Sequence, residues 1–79
     1  MSNPTPVWRR PDGTPVACVE KIKVMNENFT ELRQTVQDLL DDAVLMGCSE
    51  AQVRDALHAL IEGIASSYPE DTGGSQSDS

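Results

Sequence analysis

Few side chains in this chain could do chemistry, and the most suggestive one is Cys48. It lies in a predicted turn, next to the start of a second predicted helix, and the N-terminus of a helix favours a thiolate. Cys48 is therefore a candidate reactive thiol, and a thiol-based sensor is one hypothesis for function. Neither a histidine nor a second cysteine lies close enough in the sequence to activate or resolve it.

The other polar candidates are typical of solvated helix faces. His58 lies opposite the apolar positions of its predicted helix, with charged residues one turn away on either side. Asp38, Asp41 and Asp42 offer oxygen atoms to a divalent cation, but such a site needs more ligands and a rigid loop. No phosphate-binding loop, nucleophile elbow or metal motif is present. We predict no catalytic, cofactor-binding or metal-binding residue, and no enzyme activity.

Composition narrows the classes of partner. The chain has 79 residues and a net charge of −7, which disfavours nucleic acid and anionic membrane surfaces. No apolar run approaches the length of a membrane span, and the start has no apolar segment typical of a secretory signal. We expect a cytoplasmic protein whose thiols are reduced.

The elements that position these residues follow from one apolar stripe. Apolar residues recur at alternating spacings of four and three between Cys18 and Met46, without Pro or Gly, which predicts a long helix. Thr14 and Pro15 suit the cap and first position of that helix, so we place it at 15–46. Cys18 is then a small buried hydrophobe. The stripe consists of Cys18, Ile22, Met25, Phe29, Leu32, Val36, Leu39, Ala43 and Met46.

A second, shorter helix follows a corner. Gly47 suits the left-handed position that ends a helix, and Ser49 with Gln52 forms a capping box for the next one. We place this helix at 50–66, before Pro69. Two helices joined by so short a link form an antiparallel hairpin, and the register puts Leu57 opposite Leu39.

The predicted organisation is therefore all-α, with a helical hairpin between flexible ends. We expect an extended Pro-rich arm at 1–14, the hairpin domain at 15–66 and a disordered polar tail at 67–79.

The short helix leaves part of the stripe uncovered. A domain of this size is marginal on its own, and the two cysteines are too few for a disulfide framework. We predict that the uncovered part is a self-association or partner interface, and that two copies form a dimeric four-helix bundle. That interface consists of Ile22, Met25, Phe29 and Leu32.

The arm offers another way to cover the stripe. Its segment Val7, Trp8, Arg9 and Arg10 joins the only tryptophan to a basic stretch of an acidic chain. Trp8 is within reach of Met25 and Phe29 if the arm folds back. The alternative is that the segment docks on another protein, because Trp and Arg are favoured interface anchors.

The corner also has a resemblance that bears on function. Ala43, Gly47, Ser49 and Val53 resemble the fingerprint of the bacterial helix-turn-helix, which implies that the second helix lies in the DNA major groove. That helix is mostly acidic, and aspartates precede the corner. A DNA-binding regulator is therefore an alternative hypothesis, with nucleic acid a disfavoured partner.

A longer segment resembles a family of short uncharacterised proteobacterial proteins. The likeness lies in Arg10–Gly13 and in the run from Cys18 to Asn28. It implies a bacterial cytosolic protein and transfers no activity or site residue. The leading hypothesis is a non-enzymatic protein–protein interaction or regulatory module that self-associates through its long helix.

Overall fold

The computed structural model of the chain describes residues 5–70. Within them it has two α-helices, α1 over Val19–Leu45 and α2 over Glu50–Glu62, and no strand. The two helices pack together, so the predicted all-α hairpin is confirmed. Dimerisation stays a prediction. Most of the predicted disordered tail, 71–79, and the first four residues of the arm lie outside the described residues.

The chain divides into two compact units. Of the described residues, the first unit holds 5–31 and 68–70, and the second holds 32–67. The second unit contains the hairpin itself, formed by the C-terminal part of α1 and by α2.

Helix α1 begins later than the predicted residue 15. Thr14 and Pro15 belong instead to a turn: Pro15 forms an antiparallel bridge with Arg9, and Arg10 N–H donates to Thr14 O at 2.8 Å. The expected cap at Thr14 is therefore wrong, because its hydroxyl donates to Asp12 Oδ1 at 2.7 Å. Helical hydrogen bonding starts where Ile22 N–H donates to Cys18 O, at 3.0 Å.

The corner between the helices is built as the sequence predicts. Gly47 has φ +91°, the left-handed conformation, and its N–H donates to Val44 O at 3.0 Å. Cys48 N–H donates to Ala43 O at 2.8 Å, which completes a Schellman motif. Ser49 Oγ then accepts from Gln52 N–H at 3.1 Å and caps α2.

Helix α2 ends at Glu62, short of the predicted residue 66. Gly63 N–H donates to both Ala59 O and Leu60 O at 3.1 Å, so the last turn tightens. A glycine within a helix costs about 1 kcal/mol relative to alanine. Ile64 just beyond is exposed, so no burial is gained that would offset this cost.

The hairpin has almost no buried core. Ala43, at 7% exposure, is the only buried residue between 5 and 70, with Val36 and Leu40 half-buried beside it on α1. Leu39 is 45% exposed, while Leu57 on α2 is half-buried, and their predicted pairing stays a prediction. Adjacent helical residues point about 100° apart, so only one of Leu39 and Leu40 can face a single neighbouring helix.

Enlarging Ala43 tests this packing. The change Ala43→Leu should lower the free energy of unfolding by about 1–3 kcal/mol, because the extra methylenes enter an occupied position. Ala59→Leu is the matched control, since Ala59 is exposed on α2. Urea unfolding followed by circular dichroism measures both. Equal stabilities would show that α2 does not cover this face.

Candidate functional site

In the first unit, Trp8 of the predicted docking segment packs on its own chain. Its indole Nε1–H donates to Asn26 Oδ1 at 2.6 Å. Its ring meets Phe29 edge-on, with centroids 5.5 Å apart and planes at 74°. Asn26 and Phe29 are three residues apart, so they share one face of α1. The arm is thus held by a polar and an aromatic contact on adjacent turns.

A tight turn brings Trp8 to this place. Gly13, with φ +93°, donates its N–H to Arg10 O at 2.8 Å. Val16 N–H donates to Trp8 O at 2.8 Å and ties the two sides of the turn together. The turn needs a left-handed residue, which glycine adopts without steric cost.

The rest of the docking segment faces solvent. Val7, Arg9 and Arg10 are exposed. Arg9 Nη1–H donates to Gly13 O at 2.9 Å and so braces the turn. Val7 and Arg10 are therefore the more open residues of the segment, Trp8 is half-buried, and docking on another protein stays a prediction.

The predicted self-association residues differ in how open they are. Ile22 is half-buried, while Met25 and Phe29 are exposed only in part, at 43% and 38%. In the second unit Leu32 is 56% exposed. The portion of the stripe beside the arm is thus already partly covered within the first unit.

The hairpin unit carries more uncovered apolar surface than the sequence indicated. Side chains that a pair of helices would be expected to bury stay exposed, although by helical spacing they lie beside the residues that pack. They are Leu32 and Leu39 on α1, Leu60 and Ile61 on α2, and Ile64 just beyond α2, all about half exposed or more.

The corner offers a polar surface but no cationic one. On α2 the only basic side chain among Lys and Arg is Arg54, and its Nη2 lies 2.8 Å from Glu50 Oε2 in an ion pair. A helix that reads DNA needs cations directed at phosphates. The Gly47 and Ser49 caps also account for the residues that carry the helix-turn-helix resemblance, and DNA binding stays an untested alternative hypothesis.

Both thiols are free and exposed. The expected burial of Cys18 is wrong, because its side chain is exposed just before the start of α1. Cys48 N–H is held in the corner, while its side chain faces solvent. Residues 5–70 contain no group of three or more His, Cys, Asp or Glu side chains placed to hold a metal ion.

Comparison with known proteins does not supply a family. No family model, curated protein or solved structure matches the chain. Among the described residues, no helix is both long enough and apolar enough to cross a membrane. The resemblance to short proteobacterial proteins stays a prediction.

Sequence reasoning missed Asn26, which carries the polar half of the arm contact. Asparagine is a poor helix former in the middle of a long helix, and it falls one turn before Phe29. A buried indole N–H needs an acceptor, so a mid-helix amide beside an aromatic was the available signal.

Removing the acceptor should loosen the arm. Asn26→Ala leaves the Trp8 indole N–H without its partner, which costs roughly 0.5–1.5 kcal/mol, and the Trp8 emission should shift to longer wavelength. Asn28→Ala is the control, since it gives the same gain in helix propensity at an exposed position. Identical emission spectra for the two variants would contradict the contact.

The turn should also respond to acid. Hydrogen bonds from the Thr14 hydroxyl and backbone N–H lower the pKa of Asp12 from its ordinary 3.8. A lowered pKa in the folded state means that the stabilisation is complete above the ordinary value and is lost as the pH falls through the folded pKa.

A carboxyl NMR titration should therefore place Asp12 below 3.8, and Trp8 fluorescence should change over the same interval. Asp12→Asn should remove this part of the fluorescence change while the responses of other carboxyl groups remain. An Asp12 pKa at or above 3.8 would show that the turn does not hold the ionised carboxylate.

Proposed function

We propose that this chain is a non-enzymatic interaction module that self-associates through the uncovered apolar face of its hairpin, forming a four-helix bundle from two copies. One observation carries the proposal. A folded helical hairpin buries a single alanine, while large aliphatic side chains stay exposed on both of its helices.

The energetics make a dimer the simplest way to cover that face. Burying a Leu or Ile completely is worth about 1.5–3 kcal/mol, so side chains that are half exposed offer about 1 kcal/mol each. The five uncovered residues of the hairpin, counted in two copies, give roughly 10 kcal/mol. Association costs about 4–15 kcal/mol, so the expected dimer is reversible and depends on concentration.

Leu32 and Leu39 of the α1 stripe take part in this face together with residues of α2. In the first unit, Met25 keeps part of its surface for the same purpose. The thiol-sensor and DNA-binding alternatives have no supporting contact among residues 5–70.

A single charge on α2 should separate the monomer from the dimer. Leu60 is 57% exposed, so Leu60→Asp removes little packing within the hairpin but buries a carboxylate in the proposed interface. Sedimentation velocity should show a monomer, with helicity retained by circular dichroism. Ala59→Asp, at the neighbouring exposed position, should leave the dimer intact.

Salt gives an independent readout. Each copy carries −7, so raising the salt concentration should screen their repulsion and strengthen self-association. A wild-type chain that sediments as a monomer at every concentration and salt level would exclude the proposed function.

A further inference from the structure

The tip of the hairpin carries a second apolar surface. Leu45 is 84% exposed and Met46 is 80% exposed, more than the other exposed Val, Leu, Ile, Met and Phe side chains of residues 5–70. Leu45 lies two residues after Ala43, and two residues turn the helix by about 200°. It therefore points away from α2 and away from the face proposed for self-association.

Acidic side chains surround this tip. Leu45 follows Asp41 by four residues and Asp42 by three, so all three share one side of α1, and Asp38 lies one turn before Asp42. We call Asp38, Asp41, Asp42, Leu45 and Met46 the acidic tip. The exposed apolar residues of the tip are thus flanked by carboxylates at helical spacing.

Two amides hold part of this arrangement in place. Gln34 Nε2–H donates to Asp38 Oδ1 at 2.9 Å, and Gln37 Nε2–H donates to Asp41 Oδ1 at 3.1 Å. A neutral donor orients a carboxylate without cancelling its charge. Both aspartate side chains are exposed, so they lie on a surface open to a partner.

The charges run against the preference of the helix. The C-terminal end of a helix carries partial negative charge and favours cations, yet the last turn of α1 contains no basic residue. Residues 32–67 contain six acidic residues against two arginines, and Arg54 is paired with Glu50. The two Gln–Asp hydrogen bonds offset part of this cost, and capping of the corner does not account for the rest.

Charge also decides among the occupants of the tip. A second copy that used the same patch would place aspartates against aspartates, since a two-fold interface pairs a surface with itself. Anionic membranes and nucleic acids are repelled for the same reason. A cationic partner avoids this charge repulsion, and an apolar side chain on that partner covers the exposed apolar residues of the tip.

We propose that the acidic tip docks a basic amphipathic helix of another protein. Lys or Arg side chains one turn apart on that helix match the four-residue spacing of Asp38 and Asp42, and an apolar side chain between them covers Leu45 and Met46. Leu45 and the three aspartates lie off the proposed dimer face, whereas Met46 follows Leu39 by seven residues and borders that face.

A synthetic peptide tests the proposal with the full chain. The probe is a fluorescein-labelled amphipathic helix of Leu and Lys, and its counterpart carries Glu in place of every Lys. Fluorescence anisotropy at low ionic strength should show binding of the Lys peptide and none of the Glu peptide. Added salt should weaken this complex, the opposite of its effect on self-association.

Variants locate the binding. Asp38→Asn, Asp41→Asn and Asp42→Asn together should weaken the complex by about tenfold, the sum of three exposed ion pairs. Leu45→Ser with Met46→Ser should also weaken it, with helicity retained. The control removes three charges elsewhere, by Glu20→Gln, Glu27→Gln and Asp55→Asn, and should change affinity by no more than about twofold.

Several results would overturn the proposal. These are no binding of the Lys peptide by the wild-type chain, equal binding of the Glu peptide, or an equal loss in the control triple variant. An equal loss of affinity in the control triple variant would mean that overall net charge, and not the acidic tip, determines binding. If Leu45→Ser alone instead dissociated the chain's own oligomer in sedimentation, a second copy would be the occupant of the tip, because Leu45 lies off the proposed dimer face.

Discussion

Two helices that touch along one line can enclose only the side chains that lie between them. In this hairpin α2 has 13 residues, and it lies against a helix more than twice as long. Ala43, close to the corner, is the only residue among 5–70 that is buried. Layers of a fold bury apolar surface when each has a second layer to face. Here the second layer is incomplete, and the exposed Leu and Ile side chains of both helices follow from that single geometric fact.

In the first unit, the apolar surface of α1 is covered in a different way. Residues 5–31 and 68–70 of this unit contain one helical segment, and the arm packs on it in place of a second helix. Trp8 contributes a large ring and one polar atom, and the ring and the N–H each find a partner on α1. An aromatic side chain is well suited to this, because it covers a wide area at little cost in side-chain entropy.

Local chemistry predicted the parts of the fold that depend on adjacent residues. The corner is an example: Gly47 and Ser49 act through hydrogen bonds to residues within five positions, so their roles can be read from the chain. Thr14 and Pro15 suit a turn as well as they suit the start of a helix. Their place was decided by the bridge to Arg9, a pairing that no local pattern contains.

The candidate sites show the same difference between features set by adjacent residues and features set by residues distant in the sequence. The apolar stripe predicted that one side of α1 packs against a neighbour. The heptad spacing could not show whether Leu39 or Leu40 faces α2. That choice depends on the angle at which α2 crosses. The partnership of Trp8 with Asn26 spans 18 residues and depends on where the turn places the indole, so the sequence allowed it without requiring it.

That span has a consequence for how the protein is made. Ribosomal synthesis releases the chain from its N-terminus, and segments fold as they emerge. The turn, Trp8 and both of its partners lie within residues 8–29 and therefore leave the ribosome before any residue of α2. Closing a loop of roughly this size takes on the order of 100 ns, far less than the time needed to add one amino acid. The arm can therefore cover its part of α1 during translation, whereas the hairpin cannot form until α2 has been synthesised.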